Sequence, residues 1–92
     1  MQSEPITVLR RSWCEDSQAA VAYFQQVGIE YTEVDIEEDE QAGEWVKYLT
    51  RGHHITPTFV YRMQAAVLEP WEDARFERWW GFVNEGAGEQ SG

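Results

Sequence analysis

ITVLRRSWCEDSQAAVAYFQQVGIEYTEVDI, residues 6–36, carries the signals of a strand, a helix and a second strand in that order. Residues 6–10 are a β-branched run whose apolar positions hardly alternate, which is typical of a strand covered on both faces. Apolar residues then repeat at helical spacing, and Gly28 predicts the end of that helix: Ala20, Val21, Phe24 and Val27. The second strand is predicted over 29–36, so the two strands form a parallel pair joined by a right-handed crossover.

The rest of the sequence adds two helices and a hairpin. Asp39 is the predicted cap of a second helix, whose apolar stripe is Ala42, Trp45, Val46 and Leu49. Residues 58–62 and 65–69 predict two strands joined by a turn at Met63 and Gln64. Pro70 predicts the first turn of a third helix, with the apolar positions Phe76, Trp79, Trp80 and Val83. The order βαβαββα predicts an α/β domain, a four-stranded mixed sheet with three flanking helices. Spacing places Trp45, Trp79 and Trp80 in its core.

Composition limits the class of protein. The chain has 92 residues, of which 42% are hydrophobic and 14% aromatic, so we expect one small domain over 1–85 and a disordered tail over 86–92. A single cysteine excludes a disulfide scaffold. We see no signal peptide and no run long enough to span a membrane, which favours a reducing cytoplasm. The net charge of -10 argues against nucleic-acid binding.

Cys14 admits two interpretations. A free cysteine is often a small buried hydrophobe without reactivity. However, Cys14 lies between a strand end and a helix start, where free backbone N–H groups stabilise a thiolate. Arg10 and Arg11 add positive potential, while Glu15 and Asp16 oppose ionisation.

Three segments together resemble the glutaredoxin family. They are SWC at 12–14 after the first strand, GIEYTEVDIEED at 28–39, and ITPTFVY at 55–61. Within the family the sequence is most similar to the mycoredoxin-like branch. The resemblance implies a thioredoxin fold, Cys14 as the nucleophile of a thiol-disulfide oxidoreductase, and a cis Pro57 facing it. It also implies a low-molecular-weight thiol as co-substrate, protein mixed disulfides as partners, and no tightly bound cofactor.

The sequence departs from the common family pattern at two points. Ser17 stands where a second cysteine is frequent, which predicts a monothiol mechanism because serine cannot resolve a mixed disulfide. Glu69 and Pro70 replace a Gly-Gly pair on which the γ-glutamyl group of glutathione lies. We therefore expect weak turnover with glutathione and better turnover with a thiol such as mycothiol or bacillithiol.

The predicted site combines these residues with the basic groups of two loops. Cys14 and Ser17 are the predicted catalytic residues. The predicted thiol-binding residues are Arg11, Trp13, Arg51, Thr56, Pro57, Glu72 and Asp73. Five basic residues flank Cys14 or Pro57 in the sequence: Arg10, Arg11, Arg51, His53 and His54. We expect them to form a positive funnel that attracts anionic thiols. The two histidines fit no zinc pattern, so no metal is predicted. We expect a monomer.

Two alternatives stay open. One is an iron–sulfur carrier, because some monothiol glutaredoxins with a C-x-x-S site bind a [2Fe–2S] cluster, although CEDS at 14–17 differs from their CGFS. The other is a redox-inactive interaction domain that kept the fold, for which Cys14 would have an ordinary thiol pKa.

Overall fold

The computed structural model describes Gln2 and residues 4–86, and it has the predicted element order. The strands are β1 (Ile6–Arg10), β2 (Tyr31–Asp35), β3 (Thr58–Tyr61) and β4 (Gln64–Val67). The helices are α1 (Glu15–Val27), α2 (Glu40–Leu49) and α3 (Asp73–Trp80), and α3 continues as a π-helical turn over Gly81–Gly86. Among these residues no helix is long and apolar enough to cross a membrane.

The strands form one mixed sheet in the order β2-β1-β3-β4. β1 pairs in parallel with β2 and antiparallel with β3, and β3 pairs antiparallel with β4. The register pairs Arg10 with Asp35 at the carboxyl ends of the two parallel strands. The loops that follow β1 and β2 therefore leave the same edge of the sheet. This arrangement is the thioredoxin fold that the sequence predicts.

The two faces of the sheet are covered unequally. On one face, α1 and α3 enclose an aromatic core in which the Phe24 ring lies 4.9 Å from Phe76 and 5.7 Å from Phe59. All three side chains are fully buried, so truncating one to alanine is expected to cost about 3–5 kcal/mol. On the other face, α2 covers a smaller cluster of Leu9, Ile36, Ala42 and Val46.

Two predicted helix ends are confirmed. Gly28 ends α1 in the left-handed conformation, with φ 81°, and its N–H donates to the carbonyl of Phe24. Glycine adopts this conformation without the Cβ clash that other residues meet. Asp39 caps α2, because its carboxylate accepts from the backbone N–H of Ala42 at 3.0 Å.

Several predicted boundaries are wrong by a few residues. The hairpin turn lies at Arg62 and Met63, where Arg62 has φ 59°, so β4 begins at Gln64. Helix α3 begins at Asp73 rather than at Pro70. Pro70 lies in the preceding loop, and the Glu69–Pro70 peptide bond is cis. Residues 87–92 of the predicted tail lie outside the described residues.

Trp45 does not belong to the core, contrary to the prediction. The buried positions of α2 are Ala42, Gly43 and Val46, whereas the Trp45 side chain is 55% exposed. A Cβ on Gly43 would lie 3.2 Å from the carbonyl oxygen of Ile36, so this face of α2 approaches the chain too closely for an indole to fit beneath it. Trp79 and Trp80 are partly buried and pack against the aromatic core, as expected.

Candidate functional site

The loop after β1 places Cys14 at the start of α1. Cys14 is the N-cap residue, with extended backbone angles of φ -81° and ψ 118°. Its carbonyl accepts the first helical hydrogen bond, from Gln18 N–H at 3.0 Å. The thiol is partly buried. The backbone N–H groups of the first helical turn are therefore available to a negative charge on the sulfur.

A second loop, just before β3, faces the sulfur. The Thr56–Pro57 peptide bond is cis, which confirms the prediction made from the resemblance. The Cys14 thiol donates to the carbonyl oxygen of Thr56 across 3.6 Å. Thr56 and Pro57 are buried, and the carbonyl of Pro57 accepts from Leu68 N–H at 3.2 Å. The loop is thus fixed by packing and by a hydrogen bond to the chain that follows β4.

Ser17 lies one helical turn after Cys14, and its hydroxyl is fully buried. In the thiol form, the Cys14 S–H donates a hydrogen bond to the Thr56 carbonyl oxygen. Ser17 Oγ then has no hydrogen-bond partner among the described residues. Ionisation changes this, because a thiolate accepts hydrogen bonds. A buried hydroxyl without a partner is unfavourable, so the thiolate form relieves that cost.

The pKa of Cys14 lies below the ordinary thiol value, as predicted. Burial raises the pKa, but hydrogen bonds from the side-chain hydroxyls of Ser17 and Thr56 and from the backbone N–H groups of Ser17 and Asp16 lower it further than burial raises it. The two arginines that the sequence suggested as a cause are not among these groups. Arg10 instead forms an ion pair with Glu33, at 2.5 Å and without hydrogen-bond alignment.

A cavity of about 270 Å³ opens beside the sulfur. Its lining comes from both loops and from the chain after β4: Arg11, Trp13, Cys14, His54, Ile55, Thr56 and Glu69. Two basic side chains, Arg11 and His54, and one carboxylate, Glu69, therefore line the same cavity as the thiol. A cavity of this kind accommodates a small ligand that carries both apolar and charged groups.

Trp13 is held in place at the mouth of this cavity although it is 62% exposed. Its indole N–H donates to the Glu37 carboxylate at 2.9 Å, and the Arg11 guanidinium lies 5.2 Å from the ring centroid. A cation at that distance from an aromatic ring is attracted to the ring face. The indole is thus a fixed apolar surface next to the reacting sulfur.

The structure brings together most of the predicted site residues. The cavity is lined by Arg11, Trp13, Cys14 and Thr56. The buried residues Ser17 and Pro57 do not line it but lie next to residues that do. Arg51 and His53 are exposed and do not line it. Glu72 is the N-cap of α3, and the Asp73 carboxylate accepts from the Trp71 indole at 2.7 Å. Neither acidic residue lines the cavity.

The sequence analysis missed Glu37 and Ile55 as site residues. Glu37 follows β2 by two residues, and the end of β2 is paired with the end of β1. Because parallel strands end at one edge of a sheet, the Trp13 and Glu37 loops could have been expected to meet. Among residues 2 and 4–86, no group of three or more His, Cys, Asp or Glu side chains is placed to hold a metal ion.

Comparisons with known proteins agree with this geometry. The Glutaredoxin family profile matches residues 6–61, which extend from β1 to the end of β3 and include both loops of the site. Mycoredoxin 1 of Corynebacterium glutamicum, strain ATCC 13032, is 36% identical over 56 residues, which cover 61% of this chain and 68% of that protein. Mycoredoxin 1 of strain K051 matches to the same extent. The chain therefore belongs to the glutaredoxin family, whose members are thiol-disulfide oxidoreductases that use a low-molecular-weight thiol as co-substrate.

Proposed function

We propose that this protein reduces mixed disulfides between proteins and a low-molecular-weight thiol by a monothiol mechanism through Cys14. The observation that carries the proposal is the fully buried Ser17 hydroxyl, which lacks a partner in the described part of the chain, beside a thiol whose pKa is lowered. That combination favours the thiolate, and the thiolate is the nucleophile in disulfide exchange.

In the first step, the Cys14 thiolate attacks the small-thiol sulfur of the mixed disulfide. A new S–S bond forms between Cys14 and the small thiol, the original S–S bond breaks, and the electron pair leaves on the protein sulfur. That protein thiolate then takes a proton from solvent. The Ser17 hydroxyl and the first turn of α1 hold the thiolate in place for this attack.

In the second step, a second molecule of the small thiol attacks as its thiolate. It bonds to the small-thiol sulfur held on Cys14, and the Cys14 thiolate leaves. The product is the disulfide of the small thiol, with one sulfur from the mixed disulfide and the other from the attacking thiol. One free small-thiol molecule is therefore oxidised for each protein thiol that is released. Cys14 is the single cysteine of the chain, so no internal disulfide can replace this step.

The lining of the cavity suggests where the small thiol lies. We propose that the backbone of Thr56 and Pro57 positions it in an extended conformation, that Trp13 covers its apolar part, and that Arg11 and His54 meet its acidic groups. Contacts of Arg51, Glu72 and Asp73 with a more distant part of the thiol stay predictions.

The Glu69 carboxylate affects which small thiol can bind in the cavity. Glu69 lines the cavity, so a further ligand carboxylate placed there meets a like charge. Glutathione has such a carboxylate on its γ-glutamyl group. We propose mycothiol, or bacillithiol, as a better co-substrate than glutathione, and the similarity to Mycoredoxin 1 supports a co-substrate other than glutathione. We also propose that the protein acts as a monomer in the cytoplasm.

Turnover of a defined protein mixed disulfide tests this function. Wild-type protein should release the small thiol from a mycothiol-modified protein in the presence of free mycothiol, and Cys14→Ser should lose this activity entirely. When free thiol is omitted, mass spectrometry should show one small-thiol adduct, on Cys14. Ser12→Ala is a matched control on the same loop and should react like wild type. Full activity of Cys14→Ser would reject the mechanism.

A further inference from the structure

An apolar groove lies on the α2 side of the sheet, away from the cavity beside Cys14. Its volume is about 410 Å³. Leu9, Val34 and Val60 form its floor from three neighbouring strands, and Ala42 and Trp45 form one wall from α2. We call this the α2 groove. It exists because the single short helix on this face leaves part of the apolar sheet uncovered.

Two aromatic side chains of α2 are exposed, one in the wall of the α2 groove and one in the neighbouring hollow. Trp45 is 55% exposed and Tyr48, one helical turn later, is 83% exposed. Trp45 also lines a second hollow of about 360 Å³, together with Glu44 and Tyr48. Tryptophan and tyrosine dominate the energetics of protein interfaces because they bury large areas at low entropic cost. An exposed indole that lines two hollows is therefore suited to contact a partner.

The segment that leads into and forms α2 is mostly acidic. Residues 35–49 contain six acidic side chains and one basic side chain, Lys47. Asp39 lines the groove itself, and Glu44 lies beside Trp45. The whole chain carries a net charge of -10, which adds long-range attraction for a cationic partner.

The α2 groove and the redox site are joined by one loop. Asp39 follows Glu37 by two residues, and Glu37 accepts the hydrogen bond of Trp13 next to Cys14. A protein whose mixed disulfide is attacked by Cys14 would therefore have the chain around its own cysteine close to the acidic loop that begins α2.

We propose that the α2 groove is a docking site for the protein half of the mixed disulfide, and that it selects segments with apolar side chains flanked by lysine or arginine. The apolar side chains would enter between Trp45 and the sheet, and the basic groups would meet Asp39 and Glu44. A second copy of this chain fits less well, because it brings the same net negative charge. The substrate part of this inference rests on the proposed function.

Binding of a cysteine-free peptide tests the docking site independently of redox chemistry. The probe is an amidated peptide of alternating lysine and leucine, compared with versions in which serine replaces leucine or glutamate replaces lysine. Wild-type protein should bind the first peptide, with NMR shift changes at Leu9, Val60 and Trp45. Trp45→Ala should weaken binding about tenfold. Phe82→Ala is the matched control, since Phe82 is an aromatic residue 65% exposed outside the groove. Tyr48→Ala is a second variant should Trp45→Ala fold poorly.

Equal weakening by Trp45→Ala and Phe82→Ala, or equal binding of the lysine and glutamate peptides, would overturn the docking site. Self-association that disappears in Trp45→Ala would overturn it in favour of a second copy.

A final assay uses the lysine-leucine peptide with one cysteine linked to the small thiol. Trp45→Ala should lower kcat/KM for this peptide about tenfold and leave reduction of 2-hydroxyethyl disulfide unchanged. Failure of wild type to reduce either disulfide would refute the proposed function, whereas reduction of both without an effect of Trp45→Ala would refute the docking inference alone.

Discussion

The sulfur of Cys14 lies 3.6 Å from the carbonyl oxygen of Thr56, a residue 42 positions later in the chain. This contact joins the loop after β1 to the loop before β3, and those strands are paired antiparallel in the centre of the sheet. The thiol can donate to this carbonyl, but the thiolate cannot. Ionisation therefore moves the hydrogen bonding of the sulfur from Thr56 O to the buried Ser17 hydroxyl and the first turn of α1.

Replacing Ser17 by alanine should make Cys14 less reactive. The Ser17 hydroxyl is the first of the groups that lower the Cys14 pKa against the effect of burial, so its loss should raise that pKa. Alkylation by iodoacetamide near neutral pH should slow by roughly tenfold, because a hydrogen bond to a charged group contributes about 1.5 kcal/mol or more and about 1.4 kcal/mol corresponds to one pKa unit. Ser12→Ala, on an exposed residue, should not change the rate. An unaltered rate in Ser17→Ala would show that the hydroxyl does not stabilise the thiolate.

The lowered pKa of Cys14 also predicts how stability depends on pH. Between that pKa and the unfolded-state value of about 8.5, the folded protein has lost the thiol proton and the unfolded chain still holds it. The unfolded state binds more protons there, so the free energy of unfolding should rise with pH through this window. Urea unfolding at several pH values should show a smaller rise in Cys14→Ser. Identical pH profiles for the two proteins would contradict the lowered pKa.

Local signals in the sequence were enough for the element order, and the resemblance added the nucleophile and the cis bond before Pro57. Predictions failed where they needed the packing of one element on another. Helical spacing shows that Trp45 and Val46 are about 100° apart, but not which of them faces the sheet. Pro70 suits the first turn of a helix, yet the same φ also suits the loop in which it lies. Glu37 reaches Trp13 only because β1 and β2 end together.

Two glycines should respond in opposite ways to alanine. Gly28 has φ 81° at the end of α1, whereas Gly81 has helical angles of φ -59° and ψ -39° after α3. A Cβ would have no neighbouring atom within 4 Å at either position. Backbone conformation alone therefore decides whether alanine raises or lowers the free energy of unfolding. Gly28→Ala should lower the free energy of unfolding by about 1 kcal/mol, and Gly81→Ala should raise it by about 0.4–1 kcal/mol. Chemical denaturation measures both, and a stabilising Gly28→Ala would contradict the left-handed helix end.

A cysteine at position 17 should convert the mechanism from monothiol to dithiol. Ser17 is one helical turn from Cys14 and its side chain is buried behind the sulfur. In Ser17→Cys, the new thiol should attack the small-thiol adduct on Cys14 and close an internal disulfide. Mass spectrometry after exposure to an oxidised small thiol should show a loss of two hydrogens in the variant and an adduct in wild type. An adduct that persists in the variant would mean that position 17 cannot reach the bond.

The charge of the cavity should set the choice of small thiol. Arg11 and Glu69 line the cavity beside Cys14 with opposite charges. Glu69→Gln removes a like charge from the region where a γ-glutamyl carboxylate would lie, so turnover with glutathione should rise by roughly threefold to tenfold.

Arg11→Glu should slow the reaction with the preferred thiol by a similar factor and reduce the effect of added salt, because attraction between charges weakens as ions screen it. Arg62→Glu makes the same change of charge on the exposed β3–β4 turn, so it separates the effect of the cavity from that of net charge. The rates of all three variants with glutathione, mycothiol and bacillithiol, at low and high salt, make this comparison. If glutathione is the best reductant of the wild-type protein, or if Arg11→Glu and Arg62→Glu have equal effects, the cavity charges do not select the thiol.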